Sequence, residues 1–176
     1  MAATKHTLVA LVENKPGVLN RVANLFRRRG FNIESITVGH SETPDISRMT
    51  IVVDGSGTSV EQVRKQLDKL IETVKVQDIT SDPIVVRELA LVKVRATSTT
   101  RSEIMQIVDI FRANIVDVSM ESLTIEVTGD EEKLDSLLNL LRTFGVKEVV
   151  RTGRIAMTRG GGTVSEPVRK SSDGEE

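Results

Sequence analysis

The stretch VENKPGVL, residues 12–19, lies between a short apolar run and an amphipathic segment, and it predicts a strand, a tight turn and a helix start. Pro16 suits the first helical position, because the N–H that proline lacks would have no partner there. Gly17 has no Cβ, so a ligand can approach the backbone closely. The amides of Gly17, Val18 and Leu19 would lack intrahelical partners and, with the helix dipole, would form an anion site suited to a carboxylate. An ordinary strand-to-helix turn contains the same residue types, so both interpretations stay open from this stretch alone.

The spacing of apolar residues along the rest of the chain predicts two βαββαβ units in tandem, which is an α+β, ferredoxin-like fold. The first unit is expected to contain strands at 6–12, 31–38, 49–53 and 73–79 and helices at 18–29 and 60–71. The second is expected to contain strands at 88–96, 114–118, 122–127 and 146–157 and helices at 102–112 and 131–143. We therefore expect an N-terminal domain of residues 1–81, a C-terminal domain of residues 82–158 and a disordered tail of residues 159–176, which is rich in Gly, Ser and charge.

Counting along the chain indicates that the two units are a repeat. An offset of 85 residues (104 minus 19) places the Phe26–Arg27 pair on the Phe111–Arg112 pair. An offset of 74 residues (134 minus 60) aligns the apolar positions of the second helix in each unit, namely Val60, Val63 and Leu67 with Leu134, Leu137 and Leu141. The central hairpin is then shorter in the second unit.

The repeat shows what distinguishes the first unit. Under the offset of 85, Gly17 falls on Ser102, so the turn glycine is absent from the second unit. Asn32 falls on Asp117, which exchanges an amide for a carboxylate. An amide can accept from an ammonium group or donate to a carboxylate, whereas a second carboxylate repels a bound one. These differences place a candidate amino-acid site in the first unit, and an ordinary turn residue is the alternative interpretation of Asn32.

Composition excludes several function classes. Lys and Arg (24) nearly balance Asp and Glu (25), and aromatic residues make up 2%, so neither charge nor stacking surfaces indicate nucleic-acid binding. There is no Cys, hence no disulfide, thiol nucleophile or thiolate metal site.

His6 and His40 are interpreted as surface residues outside any catalytic arrangement. The arginine run at 27–29 is interpreted as solvated charge at a helix end, with a phosphate site as the alternative. No membrane span or signal peptide is expected, and the protein is expected to be soluble and cytoplasmic.

The residues themselves resemble the small regulatory subunit of acetohydroxyacid synthase (acetolactate synthase), a family of ACT-domain proteins. The resemblance covers nearly the whole chain, to about Arg159, and its most specific segment is GFNIES at residues 30–35. The other matching segments are residues 12–22, 26–29, 47–51, 87–94, 110–113, 116–118 and 133–135.

The resemblance implies an N-terminal ACT domain followed by an ACT-like domain, with no catalytic activity of their own. It implies a homodimer that binds the catalytic large subunit, raises its activity and makes it sensitive to inhibition by a branched-chain amino acid, usually valine. Thiamine diphosphate, its divalent metal and flavin would lie on that large subunit, leaving this chain without a cofactor or metal. The effector site would combine residues of two protomers: Asn14, Gly17, Val18 and Leu19 from one, and Asn32 and Ile33 from the other.

Two other function classes are weaker. A stand-alone tandem ferredoxin-like module that binds RNA or a small ligand has the same fold, but the lack of Trp, Tyr and net basic charge weakens its RNA version. An independent enzyme lacks a recognisable set of catalytic groups. Copurification with a thiamine-dependent large subunit would separate the regulatory subunit from the stand-alone module.

Overall fold

The computed structural model describes residues 5–55 and 57–164. Its nine described strands are β1 (Lys5–Glu13), β2 (Ile33–His40), β3 (Ile46–Asp54), β4 (Thr73–Asp78), β5 (Ile84–Arg95), β6 (Asn114–Val118), β7 (Ser122–Gly129), β8 (Val146–Arg151) and β9 (Ile155–Thr158). Its four described α-helices are α1 (Val18–Arg28), α2 (Gly57–Leu67), α3 (Arg101–Ile110) and α4 (Glu131–Leu141), and a 3₁₀ turn, Arg142–Phe144, follows α4.

Two antiparallel sheets with two helices each confirm the predicted α+β, ferredoxin-like class. The first sheet has the strand order β2-β3-β1-β4, so β2 is an edge strand. The second has the order β6-β7-β5-β8, and β9 also pairs with β5. Each unit has its own apolar core between helices and sheet. In both cores the second helix contributes the residues that the spacing predicts, Val60, Val63 and Leu67 in α2 and Leu134, Leu137 and Leu141 in α4, all at most 1% exposed.

The chain divides into two compact units whose limits are not those of the two sequence repeats. One unit contains the described residues up to Val85 and those from Ala156 onward, and the other is Val86–Ile155. Arg48 of β3 donates from Nη2 to the carbonyl of Ala156 at 2.9 Å, which ties the later segment to the first unit. Burial lowers the pKa of Arg48, and Glu42 acts in the opposite direction. Of the tail expected at 159–176, the part beyond residue 164 lies outside the described residues.

Several predicted element limits are wrong by a few residues. The second helix ends at Leu67, so Ile71 is not part of it and its side chain is 87% exposed. Ile110, predicted on the inner face of α3, is 77% exposed. The last strand is two strands, because Gly153 adopts a φ of +86° between β8 and β9.

Candidate functional site

The loop after β1 is held by backbone bonds. The Asn14 N–H donates to the carbonyl of Asp45 at 2.7 Å, which fastens the loop to the β2–β3 connection. Gly17 caps α1 with a φ of +87°, a left-handed conformation that glycine adopts without strain. Because the chain turns at Gly17, the helix begins at Val18 and Pro16 lies in the turn before it. The prediction that Pro16 is the first helical residue is therefore wrong.

The start of α1 leaves two backbone N–H groups without a hydrogen-bond partner among the described residues. The first intrahelical bond runs from the N–H of Arg21 to the carbonyl of Gly17 at 3.1 Å. The Val18 N–H turns back to the Lys15 carbonyl at 3.4 Å, so Val18 is not the free donor that the sequence predicted. The N–H groups of Leu19 and Asn20 come before the first intrahelical donor, Arg21, and make no hydrogen bond to any described residue. A Cβ built on Gly17 would meet no atom of residues 5–55 and 57–164 within 4 Å, so those residues leave this backbone open to a small ligand.

Beside this turn lies an open cleft of about 440 Å³, which is lined by residues of the β1–α1 loop and of the β2–β3 connection. It is lined by Glu13, Asn14, Lys15, Thr43, Pro44, Asp45 and Ile46. Lys15 Nζ forms an ion pair with Glu13 Oε2 at 2.6 Å, so the Lys15 ammonium group is already paired with a carboxylate of the cleft wall. Residues 43–46 were not among the predicted site residues, although Pro44 and Asp45 mark a turn, and Asp45 adopts a φ of +61° there.

The predicted apolar contacts are not equally accessible. The side chain of Val18 is 5% exposed and belongs to the core, so this residue can present only its backbone to a ligand. Leu19 is 48% exposed and lies on the outer side of the helix start. Ile33 is half-buried against the same core.

Asn32 and Ile33 lie at the far end of α1 from Gly17. The helix has 11 residues, so its ends are about 16 Å apart. Asn32 is exposed, and its Nδ2 donates to Glu34 Oε1 at 3.0 Å. The fold thus does not bring the two groups of predicted site residues together in a single chain, and a compact ligand cannot contact both groups of one copy.

The second unit provides a structural counterpart for each of these positions. After α1, Gly30 has a φ of +70° and the Phe31 N–H donates to the Phe26 carbonyl at 3.1 Å. After α3, Arg112 has a φ of +51° and the Ala113 N–H donates to the Val108 carbonyl at 3.0 Å. The offset at these turns is therefore 82 residues (112 minus 30).

This offset differs from the one that the apolar spacing predicts. Asn32 corresponds to Asn114 and not to Asp117, so the predicted exchange of an amide for a carboxylate is wrong and the amide is present in both units. Gly17 corresponds to Thr99, and the loss of the turn glycine from the second unit remains. The first unit is therefore distinguished by its glycine turn and not by Asn32.

Titratable groups elsewhere do not form a catalytic set in the described part of the chain. His6 is not the surface residue predicted: its side chain is 12% exposed, and Nδ1 lies 3.3 Å from Asp78 Oδ2. His40 is exposed. The described residues contain no group of three or more His, Asp or Glu side chains that could hold a metal ion. None of the described helices is long and apolar enough to cross a membrane.

Comparisons with known proteins give a consistent match. Residues 87–160 match the family described as "Small subunit of acetolactate synthase". Residues 8–75 match the family described as "AHAS small subunit-like ACT domain". The chain is 61% identical over 156 residues to a probable acetolactate synthase small subunit of Archaeoglobus fulgidus, covering 89% of this chain and 98% of that protein. It is 54% identical over 155 residues to the acetolactate synthase small subunit of Mycolicibacterium smegmatis, covering 88% and 91%. The crystal structure of the small subunit from Thermotoga maritima superposes with a TM-score of 0.83 at 49% identity, covering 89% and 98%.

Proposed function

Because the chain belongs to the family of acetolactate synthase small subunits, we propose that it is a regulatory subunit that binds and activates a catalytic large subunit and confers feedback inhibition by a branched-chain amino acid, with valine as the expected effector. The family match over both units carries this proposal. Thiamine diphosphate, a divalent metal and flavin would be bound by the large subunit, which performs the chemistry.

The glycine turn supports the effector site. An amino acid brings a carboxylate, an ammonium group and, in valine, a small branched side chain. The unpaired amides of Leu19 and Asn20 and the helix dipole would hold the carboxylate over Gly17, where a Cβ added to the glycine would meet no described atom within 4 Å. The exposed side chain of Leu19 would cover the isopropyl group of valine. Burial of this group would contribute about 1.5–3 kcal/mol to the binding free energy.

Two protomers complete the proposed site. The distance of about 16 Å along α1 requires that Asn32 and Ile33 come from a second copy. Asn32 Nδ2 already donates to Glu34, so Asn32 Oδ1 is the atom that would accept from the ammonium group of the effector. Glu34 would add negative charge on the same side.

The stand-alone RNA-binding module receives no support from the structure. Phe26 is buried, and Phe31, Phe111 and Phe144 are half-buried, so no Phe forms an exposed stacking platform.

The proposal is tested by mixing the purified chain with its cognate large subunit and measuring acetolactate formation with and without valine. The chain alone should form no acetolactate, its addition should raise the rate of the large subunit, and valine should lower that rate only when this chain is present. Alanine, which retains the polar groups but lacks the branched side chain, is the control ligand. A large subunit whose rate is unchanged by this chain would refute the proposal.

A further inference from the structure

The outer face of α1 carries an open groove of about 290 Å³ lined by Arg21, Asn24, Arg27, Arg28 and Leu70. Positions 21, 24 and 28 are three and four residues apart and share one face of the helix. Leu70 comes from the loop after α2, so the groove joins two elements of the same unit. The sequence predicted the arginine run to be solvated charge. The structure places Arg27 and Arg28 of this run beside Leu70, which lies more than forty positions away.

Two of the three guanidinium groups in this groove are uncommitted. Arg21 forms an ion pair with Glu72, at the end of the same loop. In the part of the chain that the structure describes, no ion pair or side-chain hydrogen bond involves Arg27 or Arg28, and both are exposed. A guanidinium group presents a planar set of donors that matches a carboxylate, so these two residues favour an acidic partner.

An exposed apolar residue adjoins the charges. Ile71 follows Leu70 and is 87% exposed, one of the largest exposures of an apolar side chain in the described first unit. Arginine beside exposed aliphatic surface is typical of a protein–protein contact. We call Arg21, Asn24, Arg27, Arg28, Leu70 and Ile71 the α1 basic surface.

The fold does not require this charge. With the offset of 82, Arg21 and Arg27 correspond to Glu103 and Asp109 on α3, and Arg28 corresponds to Ile110. The helix α3 thus forms with acidic residues on the matching face and without a basic residue in its last turn. The positive charge on α1 is therefore a property of the first unit and not of the helix position.

Resting on the proposed function, we propose that the α1 basic surface is where the catalytic large subunit docks, through carboxylates that contact Arg27 and Arg28 and an apolar side chain that covers Ile71. The positive charge of the surface favours a partner that presents carboxylates, and the arginines would also steer the encounter between the subunits. Activation would then depend on a face of α1 different from the Gly17 turn that is proposed to bind valine.

The test is a titration of the full-length chain into the large subunit, in which the concentration for half-maximal activation is measured. The variant carrying Arg27→Glu and Arg28→Glu should need at least about tenfold more protein than wild type, because attraction becomes repulsion. Raising the salt concentration should weaken activation by wild type and should not weaken activation by this variant. The matched control carries Glu103→Lys and Asp109→Lys, which changes as much charge on the equivalent face of α3, and it should behave as wild type.

Two further measurements separate docking from other causes. Calorimetry with valine on the chain alone should give the same affinity for wild type and the arginine variant, and light scattering should give the same mass. The docking surface would be overturned if wild type and the arginine variant gave the same activation curve, or if the two differed only in the mass from light scattering.

If the arginine variant does not fold, Ile71→Glu, at an 87% exposed position, replaces it. This variant should also weaken activation, and an activation curve equal to that of wild type would overturn the inference. Failure of the wild-type chain to activate would instead refute the proposed function, and this inference with it.

Discussion

At Gly17 the backbone conformation and the open space above it impose separate requirements. The φ of +87° excludes most side chains because of strain, although no atom of the described residues would collide with a Cβ. Asn and Asp are the residues that tolerate this conformation best after glycine. Substitution by these two residues therefore separates the effect of charge from that of shape.

Gly17→Asp should abolish or strongly weaken valine inhibition, since it places a carboxylate where that of the effector must lie. Gly17→Asn has nearly the same size and backbone tolerance and lacks the charge. We expect the valine concentration for half-inhibition of the holoenzyme to be at least about tenfold higher for the Asp variant than for the Asn variant. Identical inhibition curves for wild type and both variants would show that the effector binds elsewhere.

Asn32→Ala should weaken valine binding by about 1–3 kcal/mol, the cost of leaving a buried polar group of the ligand unpaired. The measurement is isothermal titration of the chain with valine. Asn114→Ala is the matched control, because Asn114 occupies the equivalent position of the second unit, and its affinity should equal that of wild type. Equal losses in both variants would indicate a general effect on the fold.

At the scale of the elements, the helices differ in how the backbone N–H groups of their first turns are hydrogen-bonded. Asp130 caps α4, where its Oδ1 accepts from the Lys133 N–H at 2.9 Å. Gly17 caps α1 without a side-chain bond. The amides at the start of α1 are therefore available to the proposed effector, whereas the capped start of α4 stabilises its helix.

Asp130→Ala should therefore lower the free energy of unfolding by about 0.5–2 kcal/mol, while leaving valine inhibition unchanged. Asp130→Asn keeps an oxygen that can accept from Lys133, so its stability should remain close to that of wild type. Urea denaturation monitored by circular dichroism measures both variants. An Ala variant as stable as wild type would mean that the cap contributes little.

At the scale of the whole molecule, the edge strand β2 is the surface on which assembly depends. The structure places β2 at the edge of the first sheet, and the apolar side chains of this strand are Ile33, Ile36 and Val38. Ile33 and Ile36, however, pack partly against their own core, and only Val38 is strongly exposed, at 44%. The unpaired backbone of β2 and Val38 then remain as the reason for association.

We predict a homodimer through the first unit, with a two-fold contact along β2 that brings the Gly17 turn of one copy to Asn32 of the other. Light scattering at micromolar concentration should give about twice the 19.3 kDa mass of one chain. Val38→Asp should weaken the dimer and valine binding together, since it places two like charges at the contact. A monomeric mass for wild type would contradict the prediction.

The sequence by itself determined the order of elements, the two repeats, the glycine turn and the family. Each of these depends on information that lies within a few neighbouring residues: a spacing of three to four for a helix, an alternation for a strand, or a motif such as residues 30–35. The inner faces of α2 and α4 could be assigned residue by residue for the same reason.

Tertiary structure alone decided which positions of the two units correspond and which residues meet. The predicted offset of 85 and the observed 82 differ by three residues, close to one helical turn, so both place apolar residues on one face and periodicity cannot choose between them. The turns at Gly30 and Arg112 show that Asn32 corresponds to Asn114. Likewise, packing directs Val18 into the core, and chain folding brings Leu70 to Arg28, because contacts between distant segments depend on the whole fold and not on local spacing.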